Sequence, residues 1–481
     1  MSLQFITGNS GNGKTKYLFN RIVKEAKANP RDNYLVIVPE QFTMQTQRQL
    51  VDLSENKAIM NIDVLSFKRL AYRVFDELGI TNLTVLEETG KNLVLRKLAA
   101  QEADKLGVIG RNLNRIGYIS EVKSLLSELV QYNISPEELG RYIASGRLSD
   151  TLSDKLKDVL VLYEAFEKFM QDKYITAEEI LNVLCNVAEE SAILRNSVIA
   201  FDEFTGFTPI QNQLIKKLFV ISKKIYVTLT IDCREDIFKS RGMQELFDMP
   251  KRTVKSLTEM AAFYGIEVEE PIILDKNYRL AENEELSFME QQLFRKRRCS
   301  FKKVPKHIHI DCLRDPKQEL TKIARRINEL VRNENLRYRD IAIVTGDVNI
   351  YAGYVREIFD KYNIPYFIDA TQEILFHPFI EFIRSIPDIA AQNFSADAVF
   401  RFLRCGFSEL LDSEIDVLEN YVLACGVRGK SAWDKKWVRL PKHKAGYDLE
   451  LLNQSREYIM ELLKPVYQVF SDKKSTVKDY V

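Results

Sequence analysis

The feature that most constrains this chain is Gly8-Asn9-Ser10-Gly11-Asn12-Gly13-Lys14-Thr15, which satisfies the pattern G-x-x-x-x-G-K-[ST] near the start of the sequence. The pattern is informative only between a strand and a helix, and both flanks fit. Leu3 to Thr7 read as a short apolar strand. Lys14 to Ala28 carry apolar residues at helical spacing (Tyr17, Leu18, Ile22, Val23, Ala26) before Asn29-Pro30 stops the helix. In such a loop the glycines permit the turn that aims backbone N–H groups at phosphates, Lys14 reaches the β- and γ-phosphates, and the Thr15 hydroxyl takes Mg²⁺. Residues Gly8 through Thr15 are therefore expected to bind ATP with its magnesium, against the alternative of a chance glycine-rich turn.

A second apolar run at Tyr34–Val38 completes a βαβ opening, which requires a parallel sheet. From about Phe67 to Leu194 the pattern is almost wholly helical, and sheet character returns at Ser197–Phe201 and Lys224–Ile231. The first sheet is thus discontinuous in sequence, with a helical insertion between its halves. A P-loop needs a metal-holding carboxylate at the end of a neighbouring strand, and Ser197–Phe201 runs straight into Asp202-Glu203. Asp202 is expected to hold Mg²⁺ and Glu203 to orient the attacking water. The plainer alternative is a surface acidic pair capping a helix.

Strands expected at His307–Cys312 and Ile341–Thr345, with a helix near Gln318–Val331 between them, suggest that a second α/β unit begins after residue 300. Beyond His377-Pro378 the chain is again helical, and it ends without a closing strand, as expected for the N-terminal piece of a longer protein. The expected fold is α/β: a P-loop NTPase (RecA-like) parallel sheet with a large helical insertion, then an incomplete second α/β domain and a helical region.

A net charge of only +1, from 69 Lys+Arg against 68 Asp+Glu, means that any nucleic acid must be held by local patches. The one dense basic run is Arg295, Lys296, Arg297, Arg298, Lys302, Lys303 and Lys306. It reads as a solvated linker rather than a DNA site, because only Phe301 interleaves it. The six cysteines (Cys185, Cys233, Cys299, Cys312, Cys405, Cys425) form no C-x-x-C pair and are expected to be reduced and mostly buried. His307, His309, His377 and His443 lack metal-ligand spacing and are read as structural. With no signal-peptide pattern and no membrane-length apolar run, the expected location is cytoplasmic.

Taken together, these motifs resemble superfamily 1 DNA helicases, which place a helical subdomain inside the first motor domain. The likeness extends to Phe42-Thr43 in VPEQFT, Ser66-Phe67 in VLSFKRLAYRVF, Asp202-Glu203-Phe204 with Gln211 downstream, and Asn277-Tyr278-Arg279. It implies single-strand DNA contacts at Phe42, Thr43, Ser66 and Phe67, metal and water activation at Asp202 and Glu203, and an arginine, Arg279, directed at the γ-phosphate. Core packing of Phe42 and Phe67 and a surface ion pair at Arg279 are the competing readings. In these terms residues 1–70 plus 190–290 form domain 1A, 71–189 insertion 1B, 300–380 the start of domain 2A, and 381–481 a helical region ahead of the C-terminal helicase motifs and nuclease domain.

More closely, GNSGNGKT, VPEQFT, FDEFTGFTPIQ, YRDIAIVTGD, YNIPYFID, HPFIEF and ENYVLACGVRGKSAW are similar to the AddB family, the B subunits of bacterial ATP-dependent helicase/deoxyribonucleases. That resemblance covers all 481 residues. It implies an obligate heterodimer partner, the helicase/nuclease A subunit, together with binding to single-stranded DNA and duplex ends, and no membrane association. It further implies resection of double-strand breaks and Chi recognition for homologous recombination. The full-length family carries a 4Fe–4S cluster whose ligands, like the nuclease residues, are not in this chain. Three departures stand out. Only seven residues precede Gly8, leaving no upstream glutamine segment to read adenine; Thr205 replaces the glutamine expected after the acidic pair; and the G-D-x-x-Q sensor survives only as Thr230-Ile231-Asp232. The expected role is an ATP-binding, DNA-binding helicase-like subunit that is not itself a motor. The alternative is a catalytically quiet scaffold for DNA and partner, with ATP as a structural ligand. A stand-alone P-loop kinase is more remote, because of the helical insertion.

Overall fold

The apolar runs that flank the glycine-rich loop become strands buried on both faces of one parallel sheet. The computed structural model describes residues 1–81, 84–108, 110, 116–145, 148–171, 174–295, 299–370, 374–441 and 446–471. The chain divides into two units, Met1–His309 and Ile310–Val481.

The first unit opens with β1 (Ser2–Gly8), α1 (Lys14–Ala28), β2 (Tyr34–Ile37), α2 (Thr43–Leu53), β3 (Ile62–Leu65) and α3 (Phe67–Leu78). The insertion contributes β4 (Val85–Leu86), α4 (Glu88–Gln101), α5 (Ile116–Gln131), α6 (Pro136–Ala144), α7 (Asp150–Met170), β5 (Ile175–Thr176) and α8 (Ile180–Val187). The chain then returns to the sheet through β6 (Val198–Phe201), α9 (Pro209–Ile221), β7 (Lys224–Thr230), α10 (Asp248–Phe263), β8 (Glu267–Val268), β9 (Ile272–Leu274) and α11 (Glu284–Gln292). The strand order is β3-β2-β6-β7-β1-β8, with β9 pairing the far end of β1, and every pair is parallel.

Alternation along each strand sorts its side chains onto two cores. Leu3, Phe5, Leu35, Ile37, Ile199, Phe201 and Val227 pack with residues of α3, α8, α9 and α10. Ile6, Tyr34, Val36, Val198, Ala200 and Tyr226 face α1 and α2 on the other side. The insertion has its own core, built on Leu95, Leu98, Val122, Leu126, Leu162 and Phe166. Within it the buried Lys91 ammonium is held by Glu88 at 2.9 Å and Glu178 at 2.7 Å. The register puts the ends of β1, β7 and β9 at one edge, Gly8 lying opposite both Thr230 and Leu274. In open parallel sheets this carboxyl edge is where ligands bind.

The second unit contains α12 (Pro316–Asn333), α13 (Val348–Lys361), α14 (Pro378–Ala391), α15 (Ala396–Leu403), α16 (Asp412–Cys425), α17 (Lys430–Trp433) and α18 (Leu449–Ser471). A small core around Leu320, Ala324, Ile327, Ile358 and Phe359 joins α12 to α13. A larger one gathers Phe394, Phe400, Tyr421, Trp433, Trp437 and Ile459. The α/β class and the parallel sheet match the expectation, but the strands expected at His307–Cys312 and Ile341–Thr345 do not form among the described residues. Both stretches have strand-like composition, yet Ile310 is 94% and Val344 92% exposed. An apolar run becomes a strand only when a neighbour takes its hydrogen bonds.

The expectation of mostly buried cysteines also changes. Of the six cysteines only Cys185 is buried, while Cys299 and Cys312 are exposed. His377 caps α14 by accepting from the Phe379 N–H at 3.2 Å, and His443 lies outside the described residues. Among the described residues no helix is long and apolar enough to cross a membrane.

Candidate functional site

After β1 the chain turns through Gly11 (φ 89°) and Gly13 (φ 79°), left-handed conformations that disfavour any side chain. Gly13 is also the N-cap of α1 and offers no side chain to it, so the first-turn N–H groups remain for an anion. The Lys14 Nζ donates to the Gly8 and Asn9 carbonyls, at 3.1 and 3.0 Å. Burial lowers its pKa, and the nearby Glu203 and Asp202 carboxylates oppose that shift.

Thr15 is the meeting point of the two halves of the sheet. Its Oγ1 lies 3.3 Å from Asp202 Oδ1 and 3.3 Å from Glu203 Oε1, across nearly the whole intervening insertion. Asp202 is 1% exposed, and its Oδ1 also accepts from the Thr228 hydroxyl on β7. Its Oδ2 is buried with no hydrogen-bond partner. Burial pushes the Asp202 pKa up, the Thr228 hydrogen bond opposing and Glu203 adding to it. A buried carboxylate with one orphaned oxygen, beside a hydroxyl and a second carboxylate, is a donor set that fits a hard cation such as Mg²⁺. Glu203 sits just past β6 at φ 63°, an uncommon conformation for a side-chain-bearing residue.

These groups line a cleft of about 710 Å³ shared with Ser10, Thr205, Thr230, Tyr278 and Arg279. The segment after β9 is bonded directly to the loop. Asn277 Nδ2 donates to Ser10 O at 2.9 Å, and the Tyr278 and Arg279 N–H groups donate to Gly11 O at 3.0 and 3.4 Å. Asn12 Nδ2 donates to Leu274 O at 2.5 Å. Asn9 donates to Glu290 on α11 at 2.7 Å and accepts from the Cys233 N–H at 2.9 Å. Arg279 is thereby held at the cleft alongside Lys14. The sequence reading gave no role to Tyr278, whose exposed ring packs over Gly13 and borders the same cleft. The only signal for it was an aromatic placed next to Arg279.

The four residues expected to touch a DNA strand separate into two pairs. Ser66 and Phe67 line a groove of about 430 Å³ together with Glu40, Lys68, Glu178 and Phe204. Ser66 also caps α3, accepting from the Arg69 N–H at 3.3 Å and donating to Glu40 at 3.0 Å. Phe67 is 7% exposed and packs on Phe201, Phe204 and Phe207 at ring distances of 5.8, 5.5 and 6.3 Å. Phe42, by contrast, packs toward the α1–α2 core, and Thr43 is buried and donates to Glu40 O at 3.0 Å. Gln211 closes a capping box with Thr208 at the start of α9.

Asp232, where a sensor was sought, is instead locked into an ion-pair cluster. Arg234 reaches its Oδ2 at 2.6 Å and Arg295 at 2.9 Å. Burial disfavours the charge, but these guanidinium contacts outweigh it and hold the carboxyl at about 2. Arg295 is therefore a packed residue, also stacked 5.0 Å from Phe247, and not part of a free basic run. Lys303 pairs with Glu284 at 2.5 Å, while Lys296, Arg297 and Arg298 lie outside the described residues.

Comparison with known proteins places the whole chain among named relatives. A relative from Lachnoclostridium phytofermentans, named as the B subunit of an ATP-dependent helicase/deoxyribonuclease, is 39% identical over 488 aligned residues, covering all of this chain and 42% of the relative. Proteins of the same name from Clostridium tetani and Clostridioides difficile are each 33% identical, covering 98% and 97% of this chain and 41% of their own lengths. The chain thus spans about two fifths of these relatives. The family model described as ADDB, N-terminal, matches residues 5–290, which take in the sheet apart from the first three residues of β1, the insertion and every residue of the cleft. This chain belongs to the ADDB, N-terminal, family.

Proposed function

We propose that this chain is the ATP-binding, DNA-binding, helicase-like part of the B subunit in a heterodimeric ATP-dependent helicase/deoxyribonuclease. The observation that carries the reading is the Thr15–Asp202–Thr228 arrangement beside the glycine-rich loop, in which Asp202 Oδ1 meets both hydroxyls and Oδ2 is buried without a partner. Gly8, Asn9, Ser10, Gly11, Asn12 and Gly13 give the loop backbone that cradles phosphates, and Lys14 neutralises them. Thr15 and Asp202 would hold the Mg²⁺, which when bound supplies charge neutralisation at the β- and γ-phosphates. Glu203 orients water, Arg279 meets the γ-phosphate, and Tyr278 offers an exposed ring to the base. Ser66 and Phe67 face the groove that would take a single strand, while Phe42 and Thr43 act behind it.

The partner in this reading is the helicase/nuclease A subunit, and the assembly would work on DNA ends at double-strand breaks and respond to Chi. The domain bounds follow the same reading: 1–70 with 190–290 as the nucleotide domain, and 71–189 as its insertion.

The quieter alternative, a scaffold with structural ATP, is favoured by one observation: Asp232 is committed to Arg234 and Arg295 and is not free to sense a phosphate. The experiment is Lys14→Ala, carried only by this chain within the assembled complex. The reading expects nucleotide binding at this site to be lost while unwinding persists. Unwinding at background would mean that this chain is a motor, and unchanged nucleotide binding would refute the site.

A further inference from the structure

The nucleotide cleft and the groove share one side chain. Phe204 lines both, together with Lys14 and Thr15 in the cleft and with Ser66, Phe67 and Lys68 in the groove. It directly follows Glu203, whose left-handed φ of 63° persists only while neighbouring packing holds it. Phe204 is itself held within a quartet of rings. It meets Phe67 edge-on at 5.5 Å, Phe201 at 6.3 Å and Phe207 at 5.2 Å. Phe201 ends β6 and Phe67 begins α3, so the quartet bolts the acidic strand end to the helix that opens on the groove.

We infer that Phe204 is a positioning residue through which single-stranded DNA in the groove changes nucleotide affinity at the P-loop. The inference rests on the DNA-binding reading given above. A base or sugar entering the groove contacts Phe204 and Phe67 and biases the ring between its present seat and an alternative. Because Glu203 is strained and adjoins the ring by one peptide bond, a shift of Phe204 moves the carboxylate relative to Thr15 and Asp202. The strained turn at 202–204 is the two-state element, and linkage makes the effect reciprocal: nucleotide must change DNA affinity by the same factor. Such a route needs no sensor at Asp232.

The test uses the protein in its native assembly. A fluorescent, non-hydrolysable ATP analogue is titrated with and without saturating oligothymidylate, the Lys14→Ala signal is subtracted, and oligothymidylate binding is followed separately by anisotropy over a salt series. The expected result is a shift in analogue Kd of about fivefold or more in the unmodified protein. The shift should collapse in Phe204→Leu and survive in Phe204→Tyr, which keeps the ring. Phe204→Met takes the place of Phe204→Leu should the latter not fold. Oligothymidylate that binds but leaves Kd unchanged, or a shift that survives Phe204→Leu, overturns the coupling while DNA binding stands. A shift lost equally in Phe204→Tyr assigns the effect to general loosening and also overturns it. No oligothymidylate binding at all removes both the coupling and the DNA reading beneath it.

Discussion

Gly11→Ala tests whether the segment after β9 really closes the glycine-rich loop. Gly11 has φ 89°, and an added Cβ would stand 2.7 Å from Asn277 Oδ1 and 2.9 Å from Arg279 Cβ. Two responses are open to the molecule. It can keep the loop, accepting roughly 1–2 kcal/mol of left-handed strain and about 1–3 kcal/mol of overpacking. Or it can release Asn277, Tyr278 and Arg279, losing their three hydrogen bonds to Ser10 and Gly11 at about 1 kcal/mol each. Either route costs about 3 kcal/mol; the second frees Arg279 from the cleft, and the first crowds it against the loop. Gly79→Ala is the matched control: it has φ 69° but nothing within 4 Å of an added Cβ, so strain alone acts and the loss is about 1 kcal/mol. Denaturant unfolding of the two variants without nucleotide, followed by ATP-analogue titration, gives the answer. Equal losses for Gly11→Ala and Gly79→Ala, with equal analogue affinity, would refute the clamp.

Asp202 has a raised folded-state pKa, so the stability it lends is complete below the ordinary carboxylate range and is lost as pH rises through the folded value. Asp202→Asn should therefore raise the neutral-pH melting temperature of the nucleotide-free protein while abolishing the Mg²⁺ enhancement of nucleotide binding; a lowered melting temperature with Mg²⁺ dependence intact contradicts this. Asp232 behaves oppositely, its depressed pKa giving stability above the ordinary carboxylate range that disappears as pH falls towards about 2. Asp232→Asn leaves the partly buried Arg295 without its counter-charge and should cost about 3 kcal/mol in denaturant unfolding, a loss below about 0.5 kcal/mol being the refuting outcome. Phe67→Ala should cost about 3–5 kcal/mol because the ring is packed among three others, more than the roughly 1–3 kcal/mol of a stacking base; weakened DNA binding at unchanged stability would show that its first role is in the groove.

The glycine-rich loop was legible because its chemistry is local: glycine spacing, Lys14 and Thr15 follow from eight consecutive residues and their flanks. Asp202 and Glu203 were legible for a related reason, since an apolar run ending in an acidic pair marks a strand whose tip carries charge. What could not be read depends on partners distant in sequence. Thr228 looks like any β-branched strand residue until β7 lies beside β6, and Asn9 gives no hint of Glu290. Asp232 resembled a degenerate sensor until Arg295 folded back onto it. The runs at His307–Cys312 and Ile341–Thr345 have strand composition, but composition does not record whether a neighbouring strand is present. Phe67 was balanced between core and groove, and it is both, buried by its phenylalanine neighbours while bordering the groove.

Equilibrium titration with a fluorescent ATP analogue shows whether Gly8–Thr15 with Asp202 forms a magnesium-dependent ATP site. Saturable binding is expected, weakened by chelating Mg²⁺ and removed by Lys14→Ala, the lysine–phosphate contact being among the stronger hydrogen bonds. Binding that is unaffected by Lys14→Ala and by chelation would contradict that site.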